Sequence, residues 1–85
     1  MEQIIIEWSP QGRGDVRAID RDTAMQILYC INDYASRRVG DIKKLKHPET
    51  GFRLRCGAWR VFFDFTGPNA IMISKVKARK DAYRR

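Results

Sequence analysis

Two runs of strand-forming residues, Phe52–Cys56 and residues 59–66, are separated only by Gly57-Ala58, and this spacing constrains the fold more than any other feature of the chain. A two-residue link that begins with glycine suits a type II′ turn, whose first central residue needs a positive φ. Pairing the two runs outward from that link sets Cys56 against Trp59, Arg55 against Arg60, Leu54 against Val61, Arg53 against Phe62 and Phe52 against Phe63. Side chains alternate between the two faces of a strand, and cross-strand partners share a face. One face of the hairpin therefore gathers Phe52, Leu54, Cys56, Trp59, Val61 and Phe63, a core face. The other gathers Arg53, Arg55, Arg60, Phe62 and Asp64.

The rest of the chain is read around this hairpin. Residues 3–8 form a strand with Ile4, Ile6 and Trp8 on one side, and Ser9-Pro10 ends it. Residues 11–19 read as a short helix that Gly12 and Gly14 weaken. Asp22 and Thr23 are candidate N-caps for a longer helix, with capping-box spacing between Thr23 and Gln26. Ala24, Ile27, Leu28, Ile31, Tyr34 and Ala35 then recur at the spacing of one buried helical stripe, and Gly40 marks a stop. Residues 41–50 read as a basic connector. Residues 70–77 form a last strand after the Gly67-Pro68-Asn69 turn. The expected architecture is α+β: an N-terminal strand, one or two helices, then a three-stranded antiparallel meander, all in one domain over residues 1–85. A chain of this length holds one thin core and no second lobe.

Charge is distributed unevenly. Residues 1–22 hold three bases and five acids, residues 23–50 five bases and three acids, and residues 51–85 nine bases and two acids, so the last segment's +7 equals the net charge of the whole protein. Such asymmetry suits an anionic partner. Arg55 directly opposite Arg60 should repel by roughly a few tenths to 1 kcal/mol in solvent, with Asp64 the nearby counter-charge. The arginine face reads in two ways. It is either a solvated surface of splayed side chains, or a phosphate-binding surface in which guanidinium forks pair with phosphate oxygens and Phe62 supplies a stacking platform. The tail adds Lys75, Lys77, Arg79, Lys80, Arg84 and Arg85 against Asp81 alone, with Tyr83 among them. Lys75, Lys77 and Arg79 share strand parity if the last strand runs that far.

Other chemistries find little support in the residue pattern. Histidines and carboxylates are not grouped at metal-ligand spacing, and a phosphate-cradling glycine loop is lacking. His47 reads as an exposed loop residue, and Cys30 and Cys56 as unpaired thiols packing as small hydrophobes. The opening Ile4-Ile5-Ile6 run is too short to span a membrane. With two scattered cysteines and no leader pattern, the expected location is cytoplasmic.

Three runs together resemble a known family. Ile42-Lys-Lys-Leu45, Gly51-Phe-Arg-Leu-Arg-Cys-Gly-Ala-Trp-Arg-Val-Phe-Phe-Asp-Phe65 and Val76-Lys-Ala-Arg-Lys-Asp-Ala-Tyr-Arg84 are similar to the hairpin and tail motifs of the RelE/ParE toxin superfamily. The resemblance spans nearly the whole chain. It implies the toxin of a type II toxin–antitoxin pair, an endoribonuclease that cuts mRNA on the ribosome with neither metal nor other cofactor, partnered by a cognate antitoxin that covers or distorts the basic sheet face. It also implies roles. Arg60, Arg79 and Tyr83 become the candidate catalytic residues and Arg53 and Arg55 candidate RNA-binding ones, to which the reading of the basic face and tail adds Phe62, Lys75, Lys77 and Lys80. Ala78 stands where many members of the family carry a histidine. That departure keeps open a ParE-like toxin that inhibits DNA gyrase, and the basic face keeps open a non-catalytic RNA-binding module.

Overall fold

The backbone of the computed structural model, which describes residues 3–82, is organised by a five-stranded sheet. Its elements are β1 (Ile5–Trp8), α1 (Pro10–Arg17), α2 (Arg21–Arg37), β2 (Asp41–Lys44), β3 (Phe52–Cys56), β4 (Trp59–Gly67), β5 (Ala70–Ala78) and α3 (Arg79–Ala82). The strand order is β1-β5-β4-β3-β2. β1 runs parallel to β5, and the other neighbours are antiparallel. The α+β expectation holds, with one strand more than the sequence suggested. Residues 41–44, read as connector, pair along β3 as an edge strand. Ile42 is their one apolar side chain in register with Leu54, so the period of two was too short to see.

The hairpin pairs residue for residue as the Gly57-Ala58 link requires. Gly57 has φ of 63° while Ala58 stays at negative φ, the type II′ pattern. Leu54, Val61 and Phe63 from the hairpin join Ile71, Ile73 and Val76 of β5 in the core, against Ile27, Ile31, Tyr34 and Ala35 of α2. Ile4 is buried, with Ile6 and Trp8 packed on the core, while Ile5 points out. Leu28, expected in the buried stripe, is exposed.

Both helix boundaries of α2 differ from the sequence reading. Asp20, not Asp22 or Thr23, is the N-cap, and its carboxylate accepts the Thr23 backbone N–H at 3.1 Å. That bond holds the Asp20 carboxyl below its ordinary value. Its stabilising effect is therefore present above the unfolded-state pKa and is lost as pH falls through the folded one. At the other end Arg38, not Gly40, caps the helix in the left-handed region with φ of 59°. Its guanidinium donates to the Ala35 carbonyl at 3.0 Å, which offsets the strain of that conformation.

The two cysteines are not the unpaired thiols expected. Cys30 on α2 and Cys56 at the end of β3 are joined by a disulfide, with their Cα atoms 5.9 Å apart. Their separation of 26 residues hid the pairing, which becomes visible only once α2 is laid across the hairpin. The unpaired-thiol argument for a cytoplasmic location falls with it. Among the described residues no helix is long and apolar enough to cross a membrane.

α1 takes over the exposed side of β5 where β1 ends. Ser9 donates its N–H to the Ile73 carbonyl and its hydroxyl to the Ser74 carbonyl, while Asp15 accepts the Val76 N–H at 2.9 Å. Gly12 makes this approach possible, because a Cβ there would lie 2.7 Å from the Ile73 carbonyl oxygen. Gly14 faces open space. The two glycines that weaken α1 as a sequence thus have different reasons to be present. Gly12→Ala should lower stability by about 1–3 kcal/mol through the backbone clash, whereas Gly14→Ala should raise it by about 0.5–1 kcal/mol through helix propensity. Chemical denaturation of the two variants checks this, and equal signs would contradict it.

Candidate nucleic-acid interface

The pairing of β3 with β4 places Arg53, Arg55, Arg60 and Phe62 on one face of the sheet, opposite the core. β2 extends the same face with Asp41, which pairs with Arg55, and Lys43, which pairs with Arg53. Lys43 was missed in the sequence because its strand was missed. From β5, Lys75 pairs with Phe62 and Lys77 with Arg60.

The two lysines reach this face only through an irregularity. Strict alternation along β5 would put Lys75 and Lys77 with Ile71 and Ile73, in the core. Instead the register shifts between Phe62 and Phe63: Phe62 pairs with Lys75 and Phe63 with Ile73, leaving Ser74 as the extra residue of a β-bulge. Ser74 closes the irregularity by donating its hydroxyl to the Phe62 carbonyl at 3.2 Å. The bulge keeps Ile73 and Val76 in the core and turns both lysines to the arginine side. The signal in the sequence was the parity break between Ile73 and Val76.

Arg55 and Arg60 stand directly opposite one another, as expected, but they do not splay in parallel. Arg55 is exposed. Arg60 is only 5% exposed, and its Nη1 donates to the carbonyls of Gly57 at 2.8 Å and Trp59 at 2.9 Å. The guanidinium therefore ties down the turn that sets the register. Charge on the face is balanced by different acids from the one expected. Asp41 lies 3.9 Å from Arg53 and Asp15 lies 3.5 Å from Lys77, while Asp64 turns its carboxylate to the Phe65 N–H. Arg53 itself is buried, at 9% exposure, beneath the exposed Asp41. Two acids against Arg53, Arg55, Arg60, Lys75 and Lys77 leave the face positive.

Phe62 is not an open platform. It is 3% exposed, and the Lys75 ammonium sits 4.8 Å above the ring centroid. It forms the floor of a cleft of about 430 Å³, walled by Leu45, Pro48, Glu49, Asp64, Met72 and Lys75. His47 is exposed in the neighbouring loop.

The last strand ends at Ala78, so Arg79 and Lys80 do not continue its parity. They open α3, both exposed, and the Arg79 N–H donates to the Ala58 carbonyl at 2.7 Å. That bond brings the tail back to the hairpin turn, beside the carbonyls held by Arg60. Tyr83 lies outside the described residues.

This architecture has close counterparts among solved structures. A chain of the RelBE2 toxin–antitoxin complex of Mycobacterium tuberculosis superposes with a TM-score of 0.75 at 20% identity, covering 91% of this chain and 99% of that one. The RelE–RelB complex of Pyrococcus horikoshii gives 0.73 at 20% identity, with 94% and 99% covered. The fold is that of the RelE toxins. The YoeB dimer of Staphylococcus aureus shares it, with a TM-score of 0.68 at 23% identity over 88% of this chain and 95% of that one. No protein-family model matches the sequence, and comparison with curated proteins finds no match.

Within the RelE fold, then, this chain presents an exposed Arg55 with the half-buried Lys75 and Lys77 around the buried Arg53 and Arg60, with Arg79 at the rim. The two facing arginines should separate in their effects. Arg60→Ala should cost about 1.5–3 kcal/mol of stability, because it removes charge-assisted hydrogen bonds to the turn. Arg55→Ala should change stability by less than about 0.5 kcal/mol. Thermal unfolding of both variants checks this, and an equal loss in the two would contradict the placement of Arg60.

Proposed function

We propose that this protein is the toxin of a type II toxin–antitoxin pair and that it inhibits translation by cutting mRNA on the ribosome in the cytoplasm. The observation that carries the proposal is the convergence of Arg53, Arg55, Arg60, Lys75 and Lys77 on one sheet face, with a bulge that serves to bring the lysines there. The RelE fold and the toxin–antitoxin complexes that share it support the same reading. A neighbouring acidic protein, the cognate antitoxin, would cover this face.

The reaction that suits such a face is attack of a ribose 2′-hydroxyl on the adjacent phosphorus, in line with the departing 5′-oxygen. It needs charge stabilisation on the phosphoryl oxygens, and metal-independent cleavage draws that from guanidinium and ammonium groups. Arg79 at the rim and Arg60 beneath the turn would stabilise the phosphoryl charge, while Arg53, Arg55, Lys75, Lys77 and Lys80 hold the flanking backbone. Tyr83 would stack on or orient a base. Phe62 contributes from below, by holding Lys75 in position. With no histidine or carboxylate among these groups to take the proton, turnover depends on the ribosome arranging the substrate.

A second reading has one observation behind it. Ala78, paired with Trp59 at the end of β5, offers no proton-transfer group where many relatives in the superfamily have histidine. That favours a toxin that inhibits DNA gyrase, which would leave mRNA intact. Expressing the chain and mapping transcript 5′ ends separates the two. New ends inside open reading frames are expected, and their loss in Arg79→Ala. DNA damage with intact transcripts would contradict the RNase reading.

The RNA contact also has a salt signature. Removal of one phosphate-binding cation, as in Arg55→Ala, should lower the slope of log affinity against log salt by about 1 and weaken binding across sequences. An unchanged slope would remove Arg55 from the interface.

A further inference from the structure

We propose that the Cys30–Cys56 bridge is a thiol–disulfide exchange site for a small thiol, and that its state sets the grip of the hairpin turn. The effect on RNA rests on the RNA-cleaving reading above, whereas the exchange itself does not.

Both cysteines are half-buried rather than sealed. They line a cleft of about 360 Å³ whose other walls include Gln26, Arg55, Ala58 and Trp59. A cleft of this size admits a small thiol. On this side of the hairpin the Arg55 backbone carbonyl lies 3.6 Å from Cys30 Sγ, and glutathione is a reagent of the size the cleft can take. The reaction proceeds by thiolate attack on one bridge sulphur. The S–S bond breaks, a mixed disulfide forms and the other cysteine departs as thiolate. A second small-thiol thiolate resolves the mixed disulfide, so that two cysteine thiols and one small-molecule disulfide result, with the bridge reduced by two electrons.

The bridge also has a mechanical connection to the proposed site. Cys56 is the last residue before the turn, and the disulfide is the covalent link from that point to α2. The turn's two carbonyls, Gly57 and Ala58, are the acceptors for the Arg60 guanidinium and the Arg79 N–H. Both candidate phosphate-stabilising arginines are therefore hung on a two-residue turn whose near strand is bolted to a helix. Opening the bridge removes the bolt. The turn then moves against α2, and Arg60 and Arg79 lose their common frame while the core pairs Leu54–Val61 and Phe52–Phe63 stay in register.

The test uses the full chain, equilibrated in glutathione buffers from oxidising to reducing. Free thiols are counted by alkylation and mass, amide hydrogen exchange is followed at residues 57–60 and at Arg79, and affinity is measured for a short single-stranded RNA. In millimolar reduced glutathione the folded protein should expose two thiols, its turn and Arg79 amides should exchange faster, and RNA affinity should fall about fivefold or more. Oxidised glutathione should reverse all three. The Cys30→Ser, Cys56→Ser double variant should behave as the reduced form and ignore the buffer. A bridge that stays closed while the protein is folded overturns the exchange site. Unchanged amide exchange, or equal RNA affinity in the two states, overturns the coupling. Faster exchange at the turn with no RNA binding in either state retains the redox site and rejects the RNA reading.

Discussion

The structure depends on the two-residue turn at Gly57-Ala58. A strand's side chains alternate with a period of two, so a hairpin closed by two residues has only one register, and a slip of one would exchange its faces. Gly57 adopts the positive φ that the turn needs, and Arg60 reaches back to hold the turn carbonyls. With that register set, Leu54, Val61 and Phe63 have no choice but the core, and Arg53, Arg55 and Arg60 no choice but the opposite face. α2 covers the first set. The second set becomes the surface of interest as a consequence of the same alternation.

A face with this much positive charge still has to be compatible with folding. Three arrangements make it so. Arg60 is withdrawn from its neighbour Arg55 and used inside the turn. Asp41 and Asp15, from the edge strand and from α1, approach Arg53 and Lys77. Lys75 lies over the Phe62 ring, where the ammonium meets the negative face of the π-system. None of these neutralises the surface. Arg55, Lys43 and Arg79 stay exposed, so exposed cations surround partly satisfied ones.

What was legible in the sequence followed from short-range rules. The hairpin register came from spacing alone, the buried positions Ile27, Ile31, Tyr34 and Ala35 from helical period, and the α+β order from the run of elements. The features that escaped it depend on contacts between distant segments. The Cys30–Cys56 bridge needs α2 placed over β3. Asp15 earns its place only where α1 reaches β5 beyond the end of β1. The edge strand β2 carries a single apolar residue, Ile42, too few to show alternation. The Ser74 bulge is a mismatch between two strands rather than a property of either, although the spacing of Ile73 and Val76 hinted at it. The burial of Phe62 depends on Lys75 and the residue 45–50 loop closing over a position that strand parity alone turns outward.

The central claim is that the face opposite α2 is where RNA lies. Titrating a short single-stranded RNA into isotope-labelled protein and following amide and side-chain NMR signals tests it directly. Shifts should concentrate at Lys43, Arg53, Arg55, Lys75, Lys77 and Arg79 and should collapse with added salt. Shifts confined instead to the exposed side of α2, at Met25, Leu28 and Tyr29, would contradict the account.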